Sequence, residues 1–145
     1  MKSLPYKVVK DPNSQMAAVK IGDKIITIPY ISSFVLKEMN KIGNNYLSTH
    51  SRGNMAKETK HAVITVPAYY NDNQRKETKL AASVAGIEVL QILSEPVAAA
   101  VASKQLNDAE GNLLVIDVGG GTSDISVLEI EQGVYSSKAT TGNTD

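Results

Sequence analysis

"HAVITVPAYYNDNQRKETKLAASVAGIEVLQILSEPVAAAVA", residues 61–102, carries the alternation on which the fold turns. HAVITV (61–66) is β-branched and apolar, which predicts a buried strand, and Pro67 ends it. Asn71 followed three residues later by Gln74 resembles a capping box. It opens a helix that runs to Gly86, a glycine stop. IEVLQIL (87–93) is the next strand. Pro96 suits a first helical position, and PVAAAVASKQL continues as a helix. Strand, helix, strand predicts two parallel neighbours joined by a right-handed crossover. The centre of the chain is therefore an α/β unit.

Upstream, YKVVK (6–10) predicts a short strand and DPNS (11–14) a turn. MAAVKI and KIITI flank Gly22-Asp23, a hairpin signal that Pro29 stops. From Ile31 the period changes to a helical one. Ile31, Phe34, Val35, Met39, Ile42 and Tyr46 form one apolar stripe over roughly 31–47. The polar stretch 48–60 is expected to be a loop or a frayed helix end. Downstream, NDAEGN (107–112) reads as a polar connection and a candidate domain boundary. Three strands follow at 113–118, 124–130 and 134–140, with Gly133 turning the last pair.

Composition removes several functions. Lysine plus arginine equals aspartate plus glutamate, 15 each, so no net charge draws the chain to nucleic acid or an anionic membrane. There is no cysteine, which rules out disulfides and thiolate metal sites. No apolar run approaches the ~18 residues of a membrane helix. No targeting segment is visible at the start. His50 and His61 stand far apart and read as structural. Tyr69 and Tyr70 read as packing residues.

The chemistry gathers in LLVIDVGGGTSDISVLEI (113–130). Glycines after a strand let a backbone approach an anion and point N–H groups at it. A P-loop needs a lysine after the last glycine, and none follows here. A dinucleotide fingerprint opens a helix, whereas ISVLEI reads as a strand. The turn is therefore a glycine-rich β-hairpin turn, with Asp117 ending one strand and Asp124 beginning the next. Two carboxylates there suit Mg²⁺ held through water and bridged to phosphates, and Thr122 adds a hydroxyl. A tight hairpin with solvated aspartates fits the same residues.

IDVGGGTSDISVLEI resembles the second phosphate-binding motif of the 70-kilodalton heat-shock chaperones, members of the actin-like ATPase superfamily. VITVPAYYNDNQRKETKLAASVAGIEVLQILSEPVAAAVA (63–102) is similar to the segment that precedes it in that family. The likeness covers essentially the whole chain. It implies an incomplete ribonuclease-H-like, actin-like ATPase lobe of α/β class. An N-terminal hairpin and helix (1–60) would be the outer subdomain of a first lobe, and 61–106 its α/β core half. Residues 107–145 would open a second lobe as a three-stranded antiparallel meander with the phosphate-binding turn. In the family later helices cover that sheet, so one face of it is expected to be bare here.

The resemblance also implies roles. Asp117 would position water and Mg²⁺. Gly119, Gly120, Gly121 and Thr122 would contact the phosphates of ATP or ADP, with Asp124 beside them and Glu95 in the Mg²⁺ and water shell. Pro67 and Arg75 match a proline–arginine relay to the peptide-binding domain. Ser123, Ser94, Val97 and Ser103-Lys104 depart from the usual family residues. The family's first phosphate loop and catalytic lysine are not found in this sequence. The expectation is a fragment of an ATP-dependent chaperone that does not hydrolyse ATP appreciably by itself. Its implied partners are a J-domain cochaperone, a nucleotide exchange factor and unfolded polypeptides, in the cytoplasm or an organelle matrix. The alternative is a complete small non-enzymatic module that binds cochaperones. A more distant alternative is an actin-like sugar kinase, against which PAYYNDNQR speaks.

Overall fold

The computed structural model describes residues 4–50, 58–103, 110–120 and 122–144, with the backbone alone at Thr122, Asn143 and Thr144. Two compact units emerge. One comprises residues 1–62 and 73–90, the other 63–72 and 91–145.

The first unit opens with β1 (Lys7–Lys10), β2 (Ala17–Ile21) and β3 (Lys24–Thr27), an antiparallel sheet in the order β1-β2-β3. Asp11 closes the first turn. Its Oδ2 accepts the Ser14 N–H at 2.9 Å and the Ser14 hydroxyl at 2.6 Å. These bonds hold its carboxyl below the usual aspartate range, the hydroxyl contributing most. The second turn falls on Gly22-Asp23, as expected, with Gly22 at φ +58°. Ala18 and Val19 are the buried residues of β2.

Helix α1 spans Ile28–His50 and packs on β2 and β3. Pro29 therefore lies inside the helix rather than merely ending the hairpin. It sits in the first turn, where its missing N–H costs nothing. The expected apolar stripe faces outward: Phe34, Val35, Met39, Ile42 and Tyr46 are all more than half exposed. The covered face carries Pro29, Ser33, Leu36, Asn40, Asn44 and Leu47. Ser33 is fully buried and donates its hydroxyl to the Tyr30 carbonyl at 2.6 Å. Asn44 Oδ1 accepts the Thr59 N–H at 2.7 Å, and Thr59 Oγ1 lies 2.7 Å from Asn40 Oδ1. The polar stripe thus holds the incoming chain. Residues 51–57 of the expected loop lie outside the described residues.

Helix α2 (Asp72–Val84) ends as the sequence predicts. Gly86 adopts φ +80°. Its N–H reaches the Ser83 carbonyl, and the Ile87 N–H reaches back to Ala82, a Schellman cap. β4 (His61–Val66) and β5 (Glu88–Ser94), which flank α2, pair as a two-stranded sheet. β4 is not buried throughout. Its exposure alternates, and only Val66 is fully covered, so the apolar run marks a strand with one wet face. His61 Nε2 lies 3.3 Å from Glu88 Oε2, and His50 stacks on Tyr46, which fits a structural role for both histidines.

The second unit contains α3 (Glu95–Ala102) and the antiparallel sheet β6 (Gly111–Val118), β7 (Thr122–Glu131) and β8 (Val134–Thr144). All three strands are longer than the sequence predicts. Gly111 and Asn112, expected in the connection, already belong to β6. Gln132 and Gly133 both take positive φ and turn β7 into β8, a hairpin geometry matched to sheet twist. Helix α3 packs on β6 and β7 through a thin, alanine-rich face, with Pro96 and Ala100 buried. Ser126, Leu128 and Ile130 of β7 are buried. Leu114, Ile116, Val118 and Ile125, of opposite parity on β6 and β7, are exposed, so one face of the sheet is bare as expected.

Candidate functional site

Residues Leu113, Val115 and Asp117 of β6 alternate onto one face and pair with Leu128, Ser126 and Asp124 of β7. Along this face the side chains pass from apolar to polar to acidic towards the glycine turn. Asp117 and Asp124 are direct cross-strand partners. Glu95, the first residue of α3, joins them. A water-sized cavity of about 10 Å³ is lined by Ala68, Glu95, Pro96, Val115, Asp117, Asp124 and Ser126. That volume is at the lower limit for one water.

Electrostatics reports the same convergence. Burial raises the Glu95 carboxyl above its ordinary range, and the negative charges of Asp117 and Asp124 raise it further. Tyr69 is raised by burial and then by Asp124, Tyr70 and Glu95, so its phenol stays a donor. Three carboxylates line one small cavity, and their mutual repulsion makes it a concentration of negative charge. An all-oxygen donor set of this kind suits a hard cation. Among the described residues, no three acidic or imidazole side chains converge as direct ligands of one metal ion.

Glu95, Asp117 and Asp124, picked out in the sequence, are thus brought together. Gly119 and Gly120 lie exposed between β6 and β7. A Cβ on Gly120 would meet nothing within 4 Å, and its φ lies outside the left-handed region. Neither crowding nor a left-handed backbone demands glycine there. Gly121 lies outside the described residues. Thr122 begins the backbone of β7. Pro67 is half-buried in the second unit, where its carbonyl accepts the Tyr70 N–H at 3.1 Å. Arg75 is half-buried in the first turn of α2, in the other unit.

Two residues escaped the sequence reading. Tyr69, read as a packing residue, does meet the Tyr70 ring at 5.8 Å, and its phenol also feels the charges of Asp124 and Glu95. Gly142 is the β8 partner of Asp124. An added Cβ there would lie 3.0 Å from Asp124 Cγ and overlap its Oδ1.

The mixed α/β chain, with its carboxylate-flanked glycine turn, is consistent with a fragment of an actin-like ATPase fold. A family profile described as "Hsp70 protein" matches residues 1–145, and the chain belongs to that family. It is 43% identical over 144 residues to "Heat shock 70 kDa protein, mitochondrial" of Pisum sativum, covering 99% of this chain and 20% of that protein. It is 40% identical over 145 residues to "Heat shock protein hsp-6" of Caenorhabditis elegans, covering 99% and 21%. The chain thus spans about a fifth of the length of these relatives. No described helix is long and apolar enough to cross a membrane.

Proposed function

We propose that this chain is part of an ATP-dependent molecular chaperone and supplies one jaw of its nucleotide clamp. The observation that carries the reading is the convergence of Glu95, Asp117 and Asp124 on one cavity, with Gly119 and Gly120 following two residues after Asp117 in the chain. Asp117 and Glu95 would hold Mg²⁺ through water, with Asp124 beside the phosphates. The backbone N–H groups of Gly119 to Gly121 and the Thr122 hydroxyl contact nucleotide phosphates. When bound, the metal neutralises charge on the phosphate oxygens. Asp117 orients water at the phosphate end of the site, and Tyr69 donates into the acidic centre.

Phosphoryl transfer rests on positioning and charge stabilisation from several sides. These 145 residues bring carboxylates and a glycine turn without the family's phosphate-loop lysine. Hydrolysis, cycles of client binding, and partnership with a J-domain cochaperone and an exchange factor belong to the longer family protein. Pro67 and Arg75 relay its nucleotide state. A matrix location fits the relative named as mitochondrial.

The test is Mn²⁺ binding to the purified chain by electron paramagnetic resonance, with and without ADP, beside an ATP turnover assay. The expected result is weak, ADP-enhanced binding that Asp117→Ala removes, with no turnover above background. Absence of Asp117-dependent binding overturns the site. Turnover abolished by Asp117→Ala overturns the one-jaw reading.

A further inference from the structure

Asp117, Asp124 and Gly142 form one row across β6, β7 and β8. β7 lies between the other two strands. Like charges directly opposite across strands repel, and their Cβ atoms sit about 5 Å apart. The Asp124 side chain resolves this by lying over β8, where a Cβ of residue 142 would be. It leans away from β6 and therefore from Asp117. Only a residue without a side chain leaves that space.

The register makes this specific. From the Gln132-Gly133 turn to Leu128 the strands pair without interruption, and then β8 slips by one residue at a bulge between Val127 and Leu128. Without the bulge, Thr141 would stand opposite Asp124. A one-residue slip exchanges the two faces of a strand, and bulges re-aim side chains near active sites. Here the bulge delivers the glycine.

We propose that Gly142 is a positioning residue of the acidic site. It provides the floor on which the Asp124 carboxylate rests, so that Asp117 and Asp124 stay splayed and both remain available to hold a divalent cation through water. This rests on the cation–phosphate reading above. Gly142 touches no ligand itself; it acts through Asp124.

The test is a double-mutant cycle on the full 145-residue chain with Gly142→Ala, Asp124→Ala and the double variant. Thermal midpoint is read without metal, and Mn²⁺ affinity by electron paramagnetic resonance. Gly142→Ala is expected to weaken Mn²⁺ binding roughly tenfold or more, as loss of an orienting neighbour does. It is also expected to lower the midpoint. In the Asp124→Ala background the same substitution should change neither reading. If Gly142→Ala fails to fold and the double variant folds, the proposal is supported more strongly. Equal loss in both backgrounds, or unfolding of both, overturns it, because crowding against the Ser123 carbonyl, 3.2 Å from the added Cβ, would then set the requirement. Wild-type chain that binds no Mn²⁺ overturns the cation reading and the positioning role with it. The midpoint cycle would then still decide whether Gly142 is the floor for Asp124.

Discussion

The β6–β8 meander and helix α1 differ in what they cover: the meander buries apolar residues on one of its faces, whereas the covered face of α1 is largely polar. In the meander, the β7 side chains Leu128 and Ile130 are covered, at 0% and 4% exposure. In α1 the apolar stripe is exposed, with Met39 at 62%, while Ser33 is at 0%. Each element follows its sequence period. What differs is which face finds cover. Leu128 has the thin alanine face of α3 packed on its sheet, whereas the face of α1 that is covered carries the two asparagines that hold Thr59. Periodicity reports that a face is apolar; it does not report that this stretch of chain covers it.

The largest effect should follow removal of the best-covered apolar side chain. Leu128→Ala is expected to cost about 2–5 kcal/mol, the transfer term plus a cavity. Urea unfolding of the second unit measures it. A loss below about 1 kcal/mol would mean that the meander collapses around the deletion, and the contrast with α1 would weaken.

Next comes the inverted face of α1. Ser33→Leu adds the apolar residue that a helical pattern would favour, but into a filled site. Overpacking of this kind costs about 1–3 kcal/mol. A stabilising outcome would show that the face has unused room and that its polarity is incidental.

Two acids sharpen the comparison through pH. Asp11 has its folded pKa lowered by Ser14. Its stabilisation is present above the unfolded value and is lost as pH falls through the folded one. Asp11→Asn should therefore lower the thermal midpoint near neutrality and matter less in acid. Glu95 has its folded pKa raised, by burial first and then by Asp117 and Asp124. Its favourable contribution is present below the unfolded value and is lost as pH rises through the folded one. Glu95→Gln should raise the midpoint of metal-free protein near neutrality, with the gain fading in acid. Parallel pH profiles for the two variants would contradict the opposite environments described for them.

The legible parts of the fold were those whose signals are local. Gly22-Asp23, Gly86 and Gly133 each needed only a positive φ at one turn, and each turn lies where its sequence places it. Asp117, Asp124 and Glu95 were legible through motifs that span a few residues each. Gly142 was not, because its role depends on the bulge at Val127/Leu128: with the register counted from the Gln132-Gly133 turn and no bulge, Thr141 would be the partner of Asp124. Tyr69 was hidden for a related reason, since its carboxylate neighbours come from α3 and β7. The exposed stripe of α1 was legible as a stripe, and its exposure was not, because cover is a property of neighbouring elements.

The smallest effects separate two bare faces of equal exposure. Met39 on α1 and Ile116 on β6 are both 62% exposed. Met39→Gln keeps an unbranched helix former, and Ile116→Thr keeps a β-branched one. Each is expected to change stability by no more than about 0.5 kcal/mol, since little apolar area returns to water. Their effects on self-association should differ. β6 is an edge strand of its sheet, and an edge strand with an apolar face offers a template for pairing with another chain. A helix satisfies its own backbone and offers no such row. Ile116→Thr should therefore slow concentration-dependent aggregation, followed by light scattering, more than Met39→Gln does. If the helix variant is the more protective, the bare stripe of α1 is the stickier surface, and exposure of apolar side chains outweighs the open strand edge in this protein.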